Sequence, residues 1–327
     1  MKYTLVIPVA PERNAEIVES IKNIDYNKKE FHVLVIRGRN PSDNRNRGVE
    51  KSRGEIIAFL DDDAVVDSDI LRKADNFFLN NPEIDIVGGP QLTPREQKGF
   101  AEISGYALSS KFGAWKMANR YSGNKIILNA DETMLTSANM FCKKEVFEKV
   151  KFDPKLFPGE DPDFISRAKK NGFKVAYDPE IIVYHKRRAD VKDLAKQIYN
   201  YGKTRPRKEP LLETLKMPFF LVPSLFLIYL VVLVFIAGLS ASVTGSVIGS
   251  VSMRTFNFLL FFPLMLYGII NFLFSAWNSF SNKNFLALFV LPFVYLLIHL
   301  SYGAGFLISS FRSIFSSKQK NLNLFFW

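Results

Sequence analysis

Cysteine is all but missing from this 327-residue chain, where Cys142 stands alone. An intrachain disulfide is therefore excluded, and nothing in the sequence requires an oxidising compartment. Charge is missing from residues 217–311, where Arg254 and Lys283 are the only charged side chains. That stretch is dominated by Phe, Leu, Ile and Val. It is too long and too apolar to be hidden in the core of a small soluble domain. Internal repeats, low-complexity tracts in the first half and any RNA- or DNA-binding motif are also lacking. After Met1-Lys2 the chain enters a short apolar run broken by Pro8, which does not read as a secretory signal.

What is present divides in two. Residues 1–188 mix charged and apolar side chains as a soluble domain does, and residues 189–216 read as a basic, partly amphipathic interfacial segment. Residues 217–327 read as a transmembrane domain with a short basic tail. Its spans are expected at about 217–239, 256–277 and 285–308, each supplying the ~20 apolar residues that a bilayer crossing needs. The formal net charge is +11, from 43 Lys+Arg against 32 Asp+Glu. The basic residues thicken at Lys203, Arg205, Arg207, Lys208 and Lys216, so an anionic membrane surface suits them better than nucleic acid. By the positive-inside rule the same cluster places residues 1–210 in the cytoplasm of a multi-pass protein. Three full spans would then export Arg312, Lys318 and Lys320, against that rule. The conflict lifts if Ser240–Met253 crosses or if Ser301–Phe311 lies in the interface. A re-entrant Ser240–Met253, the path its length and Gly/Ser content favour, leaves the side of the C-terminus unchanged.

In the soluble part, apolar runs at Tyr3–Val9, Phe31–Ile36 and Glu55–Leu60 alternate with helical patterns at Glu12–Ile24 and Asn44–Ser52. Strand, helix, strand at short intervals implies an α/β fold built on a parallel sheet. Asp67-Ser68-Asp69 is expected to cap a helix ending near Leu79, and Asp85–Gly88 to form a further strand. Pro90–Leu128 reads as irregular. Thr136–Cys142 returns to the sheet, and Lys144–Val150 is a short helix. An acidic turn at Phe157–Asp163 opens a helix through Lys170, before strands at Phe173–Tyr177 and Ile181–Tyr184.

The strand at Glu55–Leu60 drops straight into Asp61-Asp62-Asp63. Three adjacent carboxylates repel one another, and a hard divalent cation such as Mg²⁺ or Mn²⁺ relieves that repulsion. Ligands also bind at the carboxyl ends of strands in open α/β sheets.

Four stretches taken together carry a resemblance: VIPVAPERN at the first strand end, RNRGVEKSRGEIIAFLDDD in the centre, TSANMF, and GEDPDFISRAKKNGFKVAYDPEIIVYH. In this order and spacing the chain resembles family 2 glycosyltransferases, inverting nucleotide-sugar enzymes of the GT-A fold. The resemblance covers roughly residues 4–205 and implies a Rossmann-like, mainly parallel central sheet flanked by helices. It is nearest to members that extend cell-surface saccharides and end in a few membrane helices.

The resemblance implies the following roles. Asp61 and Asp63 fill a D-x-D pattern, with Asp63 a direct metal ligand and Asp61 on the ribose or the metal. Asp62 belongs to the nucleotide-sugar site, and His185 is a third candidate ligand. Asp161 is the candidate base, and Glu160 and Asn139 are candidates for the acceptor side. Pro8, Val9, Arg13 and Asn14 correspond to the nucleobase cradle, while Arg45, Asn46 and Arg205 fall near the nucleotide or diphosphate. Many relatives read uracil with an acidic pair after the second strand. Arg37-Gly38-Arg39-Asn40 stands here instead, so either Asp43 substitutes or the base differs. The implied acceptor is a hydroxyl of a lipid-linked or surface saccharide, with polyprenyl phosphate as the alternative. A non-catalytic nucleotide-sugar-binding scaffold is the reading from another class, and it predicts an incomplete set of motifs.

Overall fold

A computed structural model describes residues 1–123, 125–208, 214, 217–242 and 250–322. The chain forms two compact units, Met1–Ala189 and Asp190–Trp327.

The first unit is built on β1 (Tyr3–Val9), whose seven residues are all buried. It pairs in parallel with β2 (Phe31–Arg37) on one side and β3 (Ile56–Leu60) on the other. Side chains alternate across this sheet. Leu5, Ile7, Ala58 and Leu60 join one apolar cluster, while Val6, Ile57 and Phe59 join a second. Both faces are thus covered, which is why these strands read as unbroken apolar runs.

Helix α1 (Ile17–Lys22) is shorter than the apolar spacing suggests, because Arg13 N–H closes a turn on Ala10 O ahead of it. Helix α2 (Pro41–Glu50) starts earlier than expected. Pro41 opens the helix three residues ahead of Asn44, and the Asn40 side chain accepts from Ser42 N (2.9 Å) and Asp43 N (3.3 Å). Proline suits the first turn of a helix because its missing N–H has no intrahelical acceptor there.

Beyond β3, a three-residue strand β4 (Ala64–Val66) precedes α3 (Ile70–Asn80), β5 (Ile86–Gly88) and β6 (Gln91–Leu92). Asp69 stands at the start of α3 without a side-chain capping bond and pairs instead with Lys73 at 3.0 Å. The stretch read as irregular contains α4 (Phe100–Leu108) and α5 (Lys111–Ala114). Strand β7 (Asn139–Lys143), α6 (Val146–Lys149), α7 (Glu160–Lys170), β8 (Val175–Tyr177) and β9 (Val183–His185) complete the unit.

The large sheet has the order β2-β1-β3-β7-β5-β8, with β7 antiparallel to both of its neighbours. The parallel expectation therefore holds for β2-β1-β3 and for β5-β8, and fails at β7. A second sheet, β4-β9-β6, sets Ala64 opposite His185.

The second unit contains α8 (Val191–Lys208), α9 (Val222–Ser242), α10 (Ser250–Ser281) and α11 (Leu286–Leu322). Phe258–Ser281 and Leu286–Ser313 are long and apolar enough to cross a membrane, with mean hydropathy 2.0 and 1.9; Val222–Ile236 is a shorter apolar stretch. Residues 243–249, the heart of the re-entrant candidate, and Lys216 lie outside the described residues. Helices α8 and α11 meet backbone to backbone at glycines. A Cβ on Gly202 would stand 2.2 Å from Tyr302 O, and one on Gly305 2.1 Å from Tyr199 O.

Candidate active site

Strand β3 ends at Leu60, so Asp61, Asp62 and Asp63 emerge at its carboxyl end. The small sheet then brings His185 to them through the Ala64–His185 pairing. His185 Nε2 lies 3.0 Å from Asp63 Oδ1 and 3.8 Å from Asp61 Oδ2. One donor atom from each of the three residues lies within 4.8 Å of the other two. Two carboxylates and an imidazole, all half-buried, fit a divalent cation with positions left open for other ligands.

Charge in this cluster is compensated from two sides. On the exposed side, Arg13 Nη2 lies 2.7 Å from Asp63 Oδ2 and 3.2 Å from Asp62 Oδ1. On the buried side, Arg45 Nη2 lies 3.5 Å from Asp61 Oδ1, and its Nη1 lies 2.9 Å from Glu160 Oε1.

Burial works against ionisation of Asp63, yet hydrogen bonds from His185 and Arg13 outweigh it and hold the carboxyl well below its ordinary range. Burial likewise opposes the His185 charge, and Asp63 overcomes it, raising the imidazole above its usual value. Asp61 is pushed up by burial, only partly offset by Arg45 and His185. Asp62 is pushed up to about 6 by burial, and its backbone carbonyl accepts Ile17 N–H at 3.0 Å, at the start of α1.

Gly159, at φ +122°, makes the turn into α7, a conformation that side chains with a Cβ rarely adopt. Glu160 follows, nearly closed to solvent. Its Oε2 accepts Gly159 N–H at 3.0 Å, and its other oxygen is held by Arg45. Burial, then the charge of Asp161, pushes the Glu160 carboxyl up to about 7. Asp161 is the next residue, and among the described residues nothing hydrogen-bonds its buried Oδ1.

The other sequence-derived candidates fall as follows. Pro8 and Val9 are buried at the end of β1, where Val9 O accepts Gly38 N–H, and Asn14 is exposed on the loop beyond. The Asn46 amide is committed to the backbone of Phe152, donating to its carbonyl (2.9 Å) and accepting its N–H (3.0 Å). Asn139 opens β7 opposite Leu60, and its Nδ2 donates to Ile181 O at 2.5 Å. Among the described residues its buried Oδ1 has no partner. Arg205 belongs to the second unit, buried with its guanidinium carbon 4.0 Å from the Phe220 ring centroid.

Ion pairs and hydrogen bonds thus link Arg13, Arg45, Asp61, Asp62, Asp63, Glu160 and His185 into one cluster, with Asp161 adjoining it in sequence. Sequence reasoning missed Phe152, whose ring lies under Arg45, and Arg187. The Arg187 side chain donates to Gln91 O and to Thr93 Oγ1 and covers the Tyr121 ring, fixing the chain just after His185. No local pattern marks either residue, because each is defined by what reaches it from a distant element.

The family model described as glycosyltransferase like family 2 matches residues 1–199. An uncharacterized glycosyltransferase of Methanocaldococcus jannaschii is 24% identical over 201 residues, 56% of this chain and 60% of that protein. Another, of Haemophilus influenzae, is 37% identical over 81 residues, 25% of this chain and 32% of that protein. The matched region therefore spans less than two thirds of the length of either relative. Among solved structures, a mannosyltransferase of Pyrobaculum calidifontis in complex with GDP-Man and Mn²⁺ is similar over 90% of this chain and 87% of its own, with TM-score 0.50 and 16% identity. At that identity the likeness speaks for the fold, a GT-A α/β sheet followed by long apolar helices. With its fold, its carboxylate cluster and a family match over residues 1–199, the chain belongs to glycosyltransferase family 2.

Proposed function

We propose that the chain is a membrane-anchored, metal-dependent inverting glycosyltransferase. It moves a sugar from a nucleoside diphosphate-sugar to a hydroxyl of a lipid-linked or cell-surface saccharide, with residues 1–188 as its cytoplasmic catalytic domain. The observation that carries this reading is the joining of Asp61, Asp63 and His185, through Arg45, to the Glu160–Asp161 turn.

Asp61, Asp63 and His185 would hold Mg²⁺ or Mn²⁺. When bound, such an ion neutralises the charge that accumulates on the departing diphosphate. Arg13, exposed on the loop after β1, adds a cation at the same edge, and Asn14 beside it would meet the nucleoside, with Pro8 and Val9 buried beneath as the end of the strand that carries the loop. Asp161 takes the proton from the acceptor hydroxyl as its oxygen attacks the anomeric carbon. The bond from that carbon to the diphosphate oxygen breaks on the opposite face, so configuration inverts. The Asn139 side-chain oxygen Oδ1, buried without a partner among the described residues, is a further acceptor-side candidate. GDP-Man and Mn²⁺, held by the Pyrobaculum relative, belong to the donor and metal classes proposed here. A polyprenyl phosphate acceptor is already ionised and gives a base nothing to do, and a scaffold needs no base at all.

The test is nucleotide release by the purified full chain from a panel of donor sugars, with and without Mn²⁺, on hydroxyl and polyprenyl phosphate acceptors. Release is expected to require metal and a hydroxyl. Asp63→Ala should lower it by roughly 10²–10³-fold or more. Metal-independent turnover by the wild type would overturn the metal assignment. Transfer that survives Asp161→Asn would overturn the base.

A further inference from the structure

Arg45 is buried, at 4% exposure, although it precedes an acidic cluster where a solvent-facing cation would serve the nucleotide. Its guanidinium is fastened at both ends, to Asp61 after β3 and to Glu160 in the first turn of α7. Its flat face lies over Phe152, 5.5 Å from the ring centroid. That ring is wedged between the same two elements. It meets Phe59 of β3 edge-on at 5.2 Å and stacks on Phe164 of α7 at 4.4 Å. The neighbouring Asn46 grips the Phe152 backbone through both amide atoms. Two adjacent residues of α2 thus brace β3 against α7, one by charge and one by hydrogen bonds.

We propose that Arg45 is a positioning residue that sets the distance between the donor-side carboxylates and the base-bearing turn of α7. The inference rests on the roles proposed above for Asp61 and Asp161, and it assigns Glu160 to the brace rather than to the acceptor. An arginine is suited to this place because its planar fork presents separate N–H groups to two carboxylates at fixed spacing. A lysine supplies the charge as a single point. Since misplacement by about 1 Å costs roughly 10²-fold in rate, a loosened brace is read in turnover rather than in donor binding.

The experiment compares wild type, Arg45→Lys and Phe152→Leu as full-length protein. It measures donor dissociation constant by direct titration, kcat and KM for donor and acceptor, and thermal midpoint. Arg45→Lys keeps the buried charge and should fold. It is expected to lower kcat about 10²-fold while the donor dissociation constant moves less than about threefold. Phe152→Leu, which removes the platform and leaves every charge, should shift kcat in the same direction by about 10-fold. If Arg45→Lys weakens donor binding tenfold or more with kcat unchanged, Arg45 is a donor contact and the proposal fails. Unchanged kcat in both variants overturns it equally. A wrong reading of the reaction itself shows separately, as a wild type without metal-dependent transfer or an Asp161→Asn variant that keeps it.

Discussion

Asp75 shows what a single residue contributes to this fold. It sits on α3 and accepts from the hydroxyls of Tyr3 (2.5 Å) and Tyr26 (2.6 Å), and Lys2 Nζ pairs with it at 2.6 Å. Burial works against its charge, but hydrogen bonds from Lys2, Tyr26 and Tyr3 outweigh it and hold the carboxyl below the ordinary range. The sign follows by linkage. A depressed carboxyl contributes its full stability above the unfolded value, about 3.9, and loses it as pH falls through the lower folded value. Asp75→Asn should therefore cost about 2 kcal/mol at pH 7, the worth of hydrogen bonds to a charged acceptor. The gap in thermal midpoint between variant and wild type should close as pH approaches the folded value from above. A gap that persists unchanged in acid would show that packing rather than ionisation is at stake. None of this was legible in the sequence, where Tyr3 and Asp75 are 72 residues apart. The D-x-D carboxylates and Gly-Glu-Asp were legible because their chemistry is contiguous. The burial of Arg45 and the engagement of Asn46 with Phe152 were not, since both depend on partners more than 100 residues away.

Elements were legible where period alone decides them and obscure where their partners decide them. The apolar run of β7 announces a strand, but its direction is set by what it meets, Ile56–Leu60 on one side and Ile86–Gly88 on the other. The turn between α10 and α11 is a similar case, because no glycine marks it. Lys283 N–H bonds Phe280 O (3.1 Å), Asn284 N–H bonds Ser279 O (3.0 Å), and Asn284 Oδ1 accepts Ala287 N–H (3.3 Å) at the start of α11. These bonds form a helix stop that requires a left-handed residue, and Lys283 takes it at φ +52°. A Cβ in that conformation costs roughly 1 kcal/mol. Lys283→Gly should therefore stabilise the helical hairpin by about 1 kcal/mol, read as a higher unfolding midpoint in detergent. A lower midpoint would mean that the Lys283 side chain contributes more than its backbone costs.

At the scale of the whole molecule, the two glycine contacts bear on the sidedness that charge counting left in conflict. Helix α8 rests on α11 at residues 302–306, and Ser309 Oγ also donates to Lys203 O at 2.9 Å. From Leu286 to that contact is about 16–20 residues, or ~24–30 Å of helix, close to the hydrocarbon thickness of a bilayer. If α8 lies in one interface, as its exposed Lys192, Lys196 and Arg207 suit it to do, the turn at Asn282 stands in the other. The end of α11, with Arg312, Lys318 and Lys320, then returns to the side of α8. That is the side the positive-inside rule assigns to such a tail, and chain continuity puts the catalytic unit's last residue there too. Cys142 is buried in the sheet, and burial pushes its thiol well up, so the native protein offers a silent background to thiol reagents. An impermeant maleimide added to intact cells should label Asn282→Cys rapidly. It should reach Ser317→Cys only after permeabilisation. Labelling of both from outside would require α11 not to cross, and the reverse pattern would place the catalytic unit away from the cytoplasmic pool of nucleotide-sugars.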